Sequence, residues 1–333
     1  MKISKTGILL ITVLSLSLAV AGCTGAKVSA TKEKSYVWSN VTEKAQFPEG
    51  YNYPVFVMDG ELRAINNGGW TSKDGRTWTR TALPDSGLNS AYQKFVQFKD
   101  AVYALGTMRG NYLDMKLTSK ISRTKDFNTW EVLAEKSNLP ERVFYGATVF
   151  NGRIWLFGGW DGKKYYNDAW SSADAVHWAK AAEKTAWSPR NISGGIVVFK
   201  ERLWLIGGGV IDGERNPNPD SDKEIWSSAD GIDWTRTKVN SARKLAGTPV
   251  VFDDKLWLAG ANRGNGFESG MLYSEDGASW SERQAPWSPR GGVAVWVFGG
   301  RLFLTGGKSS HTENGEIKFV YSSDVWAMEP KSE

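Results

Sequence analysis

The chain has 333 residues, with 41 lysines and arginines against 36 aspartates and glutamates, a formal net charge of +5 and one cysteine. Because the basic residues are scattered rather than grouped in blocks, the charge pattern gives no indication of nucleic-acid binding. A single cysteine excludes an internal disulfide. The 17 tryptophans and 36 glycines favour many short strands joined by tight turns.

The first predicted element is an export signal. Lys2 and Lys5 precede an uncharged apolar run over 7–20, which is too short to span a bilayer as a permanent helix and fits the core of a signal peptide. The motif VAGC at 20–23 resembles the lipobox of bacterial lipoproteins, which implies cleavage before Cys23 and lipidation of its thiol. An ordinary secretory signal with a chance cysteine is the alternative.

The predicted domain organisation follows from this signal. Residues 1–22 form the signal peptide, residues 23–35 a lipidated N-terminus and flexible tether, and residues 36–330 one domain. Acyl chains on Cys23 would hold the protein at a membrane surface. We therefore expect a monomer in the cell envelope, anchored to the outer membrane or to the outer face of the cytoplasmic membrane.

Six copies of a hairpin pattern follow along the chain. Each copy has an apolar strand, a short turn and a second apolar strand, as in ATVFNGRIWLF, and such short separations predict hairpins. Four copies continue into small residues such as Gly158 and Gly159. The aligned aliphatic residues of the second strands lie 40 to 53 residues apart, at Leu62, Val102, Ile154, Leu203, Leu256 and Leu302.

A second pattern, Ser/Thr-x-Asp-x-x-x-Trp, closes five of the repeats. Its aspartates are Asp74, Asp126, Asp174, Asp230 and Asp276, and its tryptophans are Trp78, Trp130, Trp178, Trp234 and Trp280. An aspartate in such a turn accepts backbone N–H groups across it. The pattern resembles a shortened Asp-box of sialidases, which is a structural turn, so we interpret all five aspartates as structural.

The repeat period, the glycine pairs and the later tryptophans of NDAW and KEIW together resemble Kelch repeats of the galactose-oxidase-like kind, over nearly all of 36–330. The resemblance implies an all-β, six-bladed Kelch-type β-propeller. The sixth repeat has no Asp-box tryptophan, whereas Trp38 precedes the first full repeat. We therefore predict that the N-terminal strand closes the last blade; five or seven blades are the alternatives.

Candidate ligand-binding residues lie on two sets of loops. In propellers of this kind, the loops between blades and those between strands two and three share one face. The blade-joining loops carry a recurring arginine, at Arg142, Arg190, Arg243 and Arg290, whose guanidinium groups suit a carboxylate or have a structural role. The other loops differ between blades, as specificity requires, and offer Trp160, Tyr165, Arg109, Arg263, Glu214 and His311, although polar loops are also simply solvated.

Two functions remain open. The predicted mature chain has no cysteine besides Cys23 and only two histidines, His177 and His311, which excludes the copper site of galactose oxidase and a histidine-based zinc site. We expect no cofactor and no metal. The first hypothesis is a non-catalytic binding or scaffold protein for a glycan or a protein partner. The alternative is a sugar mutarotase or epimerase resembling the Kelch-type sialic acid epimerases.

Overall fold

The structure is a computed structural model, which describes residues 34–83, 88, 93–109, 115–192, 194–209, 220–241, 244–262 and 266–331. The chain divides into two units, Met1–Lys34 and Ser35–Glu333, and all the strands belong to the second. The described residues form β-strands, the turns between them and a short 3-10 helix at Ser221–Lys223. Within these ranges no helix is long and apolar enough to cross a membrane.

Six antiparallel sheets of four strands form the blades of a propeller, as the sequence predicts. In order from the innermost strand, blade 1 contains β2 (Val55–Met58), β3 (Glu61–Ile65), β4 (Gly69–Ser72) and β5 (Thr79–Thr81). Blade 2 contains β6 (Lys94–Phe98), β7 (Ala101–Arg109), β8 (Lys116–Thr124) and β9 (Glu131–Ala134). Blade 3 contains β10 (Gly146–Phe150), β11 (Arg153–Trp160), β12 (Tyr165–Ser172) and β13 (Ala179–Ala182).

Blades 4 to 6 repeat the arrangement. Blade 4 contains β14 (Ile196–Phe199), β15 (Arg202–Ile206), β16 (Ile225–Ser228) and β17 (Thr235–Thr237). Blade 5 contains β18 (Thr248–Phe252), β19 (Lys255–Ala259), β22 (Met271–Ser274) and β23 (Ser281–Arg283). Blade 6 contains β24 (Ala294–Phe298), β25 (Arg301–Thr305), β28 (Val325–Pro330) and β1 (Tyr36–Thr42).

Two additional hairpins leave the propeller between the second and third strands of blades 5 and 6. They are β20 (Ala261–Asn262) with β21 (Phe267–Glu268), and β26 (Lys308–Glu313) with β27 (Glu316–Tyr321). The sequence analysis treats both segments as loops. The period-2 alternation of β27 gives it strand character, and Asn314-Gly315 is a favoured two-residue hairpin turn.

The N-terminal strand closes the ring. β1 pairs with the C-terminal β28 in antiparallel register, with Tyr36 opposite Pro330 and Trp38 opposite Met328. The predicted closure of the last blade by this strand is therefore confirmed. Closing the ring in this way joins both ends of the domain in one sheet and covers what would be an open strand edge.

The blades are held together mainly by aromatic residues between neighbouring sheets. Each Asp-box tryptophan packs on the preceding blade: Trp234 of blade 4, for example, meets the ring of Phe157 of blade 3 edge-on at 5.4 Å between centroids. Trp78 of blade 1 likewise packs with Trp296 and Phe303 of blade 6. The Asp-box tryptophans therefore fill the space between blades, as the repeat pattern predicts.

The Asp-box turns are built as the sequence predicts. In the third repeat, Asp174 Oδ1 accepts the backbone N–H groups of Val176 (2.9 Å) and His177 (2.8 Å), and the same two contacts recur in the other four turns. In the fifth repeat, burial would raise the pKa of Asp276, but the hydrogen bonds from the backbone of Ser279 and Ala278 outweigh it and lower that pKa to about 2. These carboxylates are consequently bound to their own turns.

Candidate functional site

Arg142, in the segment that leads into blade 3, lies inside that blade. Arg142 is buried, and its guanidinium contacts both oxygens of Asp168, at 2.6 and 3.2 Å, and donates to the carbonyl of Gly158 at 3.0 Å. Its Cζ also lies 4.0 Å from the ring centroid of Tyr166. Asp168 accepts in addition the indole N–H of Trp170 at 2.8 Å. The three groups form a closed arginine–acid–tryptophan unit.

The same unit occurs in two more blades. In blade 4, Arg190 donates to Glu224, which also accepts the indole N–H of Trp226 at 3.1 Å. In blade 6, Arg290 contacts both oxygens of Asp324, and Asp324 accepts the indole N–H of Trp326 at 2.8 Å. In each case the acid stands two residues before a strand-three tryptophan, so the unit ties the entry of a blade to its third strand.

These contacts give Arg142, Arg190 and Arg290 the structural role that the sequence left open. All three side chains are buried, and acids and backbone carbonyls accept most of their donors, together with the hydroxyls of Ser188 and Ser288 for Arg190 and Arg290. Arg142 Nε alone of these donors is buried with no acceptor among the described residues. Each arginine has its own acid in the same blade, so the acids offset the mutual repulsion of the three cations. Arg243, the fourth arginine of the series, lies outside the described residues.

Of the remaining predicted candidates, those whose side chains the structure describes lie on blades 3 and 6. Trp160 and Tyr165 face each other across β11 and β12, 6.1 Å apart, and Trp160 stacks on Phe144 at 6.3 Å. His311 is exposed on β26, opposite Lys318. Arg263 and Glu214 lie outside the described residues, as does the side chain of Arg109.

The tryptophans of the two WSPR segments pack in the core. Trp187 lies edge-on to Trp234 at 6.2 Å, and Trp287 lies edge-on to Trp38 at 4.5 Å; both Trp187 and Trp287 are buried. Because both rings are buried, neither presents a face on which a sugar could stack. Their function is to fill the space beside the blade-joining loops.

A cavity of about 1010 Å³ opens where the blade-joining segments meet the innermost strands. It is bordered by the beginnings of β2, β6, β18 and β24, so it lies at the mouth of the central channel. Aromatic rings and side-chain amides share its wall, among them Tyr51, Phe144, Phe267, Asn52, Gln93 and Asn191. Such a mixture of apolar surface and a few polar groups is typical of small-molecule sites.

The charged side chains of this wall are basic. Lys94 and Lys308 line the cavity, and no aspartate or glutamate is found among the described residues that line it. Lys94 keeps partial exposure, and burial in the surrounding protein lowers the pKa of its ammonium to about 8. The ammonium of Lys308 lies 4.7 Å from the ring centroid of Tyr51. The cavity therefore favours an anionic or neutral ligand over a cation.

These two lysines were not among the predicted site residues. Lys94 is the one charged residue of the innermost strand segment KFVQF, and a charge at the start of such a strand is the signal that could have indicated the channel. Lys308 stands within a loop that was considered, beside His311, but nothing in the local sequence distinguished it. The recurring arginines drew attention because they repeat, and their repetition reflects the architecture of the blade.

No group of three or more histidine, cysteine, aspartate or glutamate side chains within the described ranges is arranged to hold a metal ion.

Comparisons with known proteins agree with this architecture. The Kelch repeat protein M-T8 of Myxoma virus (strain Lausanne) is 22% identical over 321 residues, which cover 93% of this chain and 58% of the viral protein. Spermatocyte protein spe-26 of Caenorhabditis elegans is 23% identical, and the match covers 61% of this chain and 36% of spe-26. Beta-scruin of Limulus polyphemus is 26% identical, and the match covers 55% of this chain and 21% of beta-scruin. The chain thus matches less than two thirds of the length of each of these relatives.

Among solved structures, that of YjhT superimposes on this chain with a TM-score of 0.65 at 14% sequence identity. The superposition covers 86% of this chain and 96% of the YjhT chain. This likeness shows a shared fold. With the Kelch relatives, it establishes the chain as a Kelch-type six-bladed propeller. A family model described as the DUF6242 beta propeller domain matches residues 15–243, more than half of the sequence. The chain belongs to the DUF6242 beta propeller domain family.

Proposed function

We propose that this propeller is a non-catalytic binding protein that holds an acidic glycan in the cavity at its channel mouth. The observation that carries the proposal is the charge of the wall: two lysines, and no carboxylate among the described lining residues. An ammonium group in a partly buried site binds a carboxylate more strongly than an exposed one does, because water screens it less.

Lys94 gives the site a preference for a negative charge. The lowered pKa of its ammonium, about 8, means that the surrounding protein disfavours the charged form. A carboxylate brought next to this ammonium would offset that cost and raise the pKa again. At neutral pH most Lys94 side chains remain protonated, so the anion would meet a cation.

The rest of the wall suits a sugar ring. A side-chain amide such as that of Asn52 offers both donors and an acceptor for hydroxyl groups. Tyr51 and Phe267 contribute ring surface for the apolar face of a pyranose. A volume of about 1010 Å³ is at the upper end of the range of ligand pockets, so more than one sugar unit fits.

The alternative, a mutarotase or epimerase, requires an acid and a base placed on the same sugar. Within the described part of the wall, the titratable groups are the two lysines and tyrosines such as Tyr51 and Tyr53, with no aspartate, glutamate or histidine. Burial raises the pKa of Tyr53 above its ordinary value, so its phenol stays protonated at neutral pH, where it cannot act as a base and is a weak acid. This composition favours binding over proton transfer.

The test of the proposal begins with direct binding. Glucuronic acid, galacturonic acid and N-acetylneuraminic acid are titrated into the purified protein by calorimetry, beside glucose and inorganic phosphate. We expect at least one acid to bind and its affinity to fall about tenfold in Lys308→Met, since a charge-assisted hydrogen bond is lost. Lys318→Met, on the same hairpin but exposed, is the matched control and should leave the affinity unchanged.

Three results would contradict the proposal. The first is equal binding of an acid and its neutral analogue, the second is binding of phosphate alone, and the third is equal loss of affinity in both lysine variants. For the acid that binds, exchange NMR of its anomers at catalytic protein concentration separates the two functions. Acceleration of the exchange that Lys94→Met abolishes would establish the mutarotase; binding without acceleration supports the binding protein.

We also propose that the protein is anchored in the cell envelope through Cys23. The support is the sequence alone, a charged start, an apolar run and the VAGC motif, since these residues lie outside the described part of the chain. Intact-mass analysis of the membrane fraction should find acyl chains on Cys23, and Cys23→Ser should release the protein or leave it unprocessed. An unmodified Cys23 in the membrane fraction would overturn this part.

A further inference from the structure

The hairpin of β26 and β27, here called the blade 6 hairpin, extends the site beyond the cavity. Its strands pair in continuous register from Lys308 opposite Tyr321 to Glu313 opposite Glu316. The turn residues Asn314 and Gly315 have φ of 50° and 81°, as a tight two-residue turn requires. At about 3.3 Å per residue, strands of this length reach roughly 20 Å.

The two faces of the blade 6 hairpin differ in chemistry. Because side chains alternate along a strand and directly opposed residues share a face, the register sorts them into two sets. One face carries Ile317, Phe319 and Tyr321 with Thr312, Ser310 and Lys308 opposite them. The other carries Val320, Lys318 and Glu316 with Ser309, His311 and Glu313 opposite them. We call the first set the aromatic face.

The aromatic face is open to solvent. Ile317 is 67% exposed and Phe319 is 51% exposed, and Tyr321 belongs with them among the exposed large apolar residues of the described chain. A contiguous apolar surface of this kind on a soluble domain usually marks a binding site. The small hydroxyl side chains Ser310 and Thr312 lie across the hairpin from Phe319 and Ile317 and provide hydrogen bonds there.

This face continues directly from the cavity. Tyr321 stacks on Tyr51 with 5.6 Å between ring centroids and 29° between the planes, and Tyr51 lines the cavity. The ammonium of Lys308, also in the cavity wall, lies 5.0 Å from the ring centroid of Phe319. Reciprocal backbone hydrogen bonds of 2.9 Å between Lys308 and Gly291 fix the base of the hairpin to the blade-joining segment.

We infer that the aromatic face is an outer subsite, which takes the neutral sugar units of an oligosaccharide whose acidic unit occupies the cavity. The inference rests on the proposed function and specifies its ligand as a chain rather than a monosaccharide. Lys308 stands at the junction, so the anionic unit lies on the inner side. The rings of Tyr321 and Phe319 then offer stacking surface to the next units outward.

The pattern of this surface fits a sugar chain. The aromatic face begins at the cavity rim, so a chain that leaves the cavity on this side lies along it. Its apolar side chains on β27 lie beside hydroxyl groups on β26, which suits the apolar faces and hydroxyl groups of pyranose units. Charged groups are concentrated on the opposite face, at Lys318, Glu316 and Glu313, and are kept away from neutral sugars.

The experiment compares ligand length. The three acidic monosaccharides, and each of them linked to one, two or three neutral hexoses, are titrated into the wild-type protein, Phe319→Ser and Val320→Ser. Val320 is 47% exposed on the opposite face and is the matched control. We expect affinity to rise with chain length in the wild type and in Val320→Ser. In Phe319→Ser the longer ligands should lose about tenfold, while the monosaccharide binds as before.

Several outcomes would overturn the inference. If a monosaccharide binds and Lys308→Met weakens it, but neither chain length nor Phe319→Ser matters, the cavity function stands and the outer subsite does not exist. If no acidic sugar of any length binds, both fail together. If Phe319→Ser instead abolishes dimerisation in sedimentation, or binding to anionic phospholipid vesicles, the face serves a second copy or a membrane.

Discussion

Arg190 and Glu224 form a buried ion pair inside blade 4, with 2.7 Å between Nη2 and Oε2 and no exposed surface on the arginine side chain. Arg190→Ala would remove the nearer and buried cation of the Glu224 carboxylate, which keeps the more exposed Arg236 at 3.5 Å. Removing one member of such a pair costs about 3–5 kcal/mol of unfolding free energy. Denaturant unfolding of Arg190→Ala should therefore show a much lower midpoint.

Two controls separate this effect from the loss of charge in general. Lys180→Ala removes an exposed pair with Glu183 and should change the unfolding free energy by less than about 0.5 kcal/mol. Arg190→Met with Glu224→Gln removes both charges and should recover part of the loss. An Arg190→Ala protein as stable as the wild type would refute the structural role of the arginine.

Tyr36 tests the closure of the ring. Its ring meets Trp257 of blade 5 edge-on at 5.2 Å, and its hydroxyl donates to Asp253 at 2.7 Å. Tyr36→Ala should lower the unfolding free energy by roughly 3–5 kcal/mol, as for other buried aromatic residues. Val37→Ala, at the exposed neighbouring position, should cost less than about 1 kcal/mol. Equal thermal midpoints for the two variants would mean that β1 does not hold blades 5 and 6 together.

Gly277 tests the packing of one blade on the next. It has φ of 78°, and a Cβ built there would lie 2.2 Å from the ring of Trp204 in the preceding blade. Gly60 has a similar φ of 72° with nothing within 4 Å of its added Cβ. Gly60→Ala should cost about 1–2 kcal/mol for the backbone conformation alone, whereas Gly277→Ala adds about 1–3 kcal/mol of overpacking. Equal unfolding free energies for both variants would contradict this packing.

Lys94 predicts a pH dependence of stability. Its pKa is about 8 in the folded protein against an ordinary value of 10.5. Between these values the unfolded chain binds more protons, so the contribution of Lys94 to stability rises with pH in that window and is smallest below pH 8. Lys94→Met should remove this rise and stabilise the protein at neutral pH.

The measurement is the difference in unfolding free energy between the wild type and Lys94→Met from pH 6 to pH 10.5, which cancels the titration of other groups. The variant should be the more stable protein at pH 7, and the difference should shrink as the pH rises. Lys184→Met, at an exposed position, is the control. A difference that does not change with pH would show that the Lys94 ammonium is not disfavoured by burial.

The fold was largely predictable because each blade repeats two local signals. Hairpin strands and Asp-box turns are set by residues close in sequence, such as Asp174 and the amides two and three positions later. The closure could be inferred because Trp38 supplied the element that the sixth repeat lacked. The blade 6 hairpin also carries a local signal in the sequence, the two-residue Asn314-Gly315 turn.

The site was less predictable because it depends on residues from different blades. Lys94 and Lys308 are far apart in sequence, and only the ring closure brings both into one cavity wall. The role of the arginines was ambiguous because their partners, such as Asp168 and Glu224, lie 26 and 34 residues away in the same blade. Nothing in the sequence shows that these acids pair with the arginines. The arginines, which repeat from blade to blade, belong to the architecture, whereas the two lysines of the candidate site do not repeat.

A crystal structure of the protein with the tightest-binding acidic oligosaccharide tests the central claim most directly. We predict the ligand in the channel-mouth cavity, with its carboxylate within hydrogen-bonding distance of the ammonium of Lys94 or Lys308. A ligand seated elsewhere on the propeller, or one whose carboxylate faces solvent while neither lysine contacts it, would contradict the account.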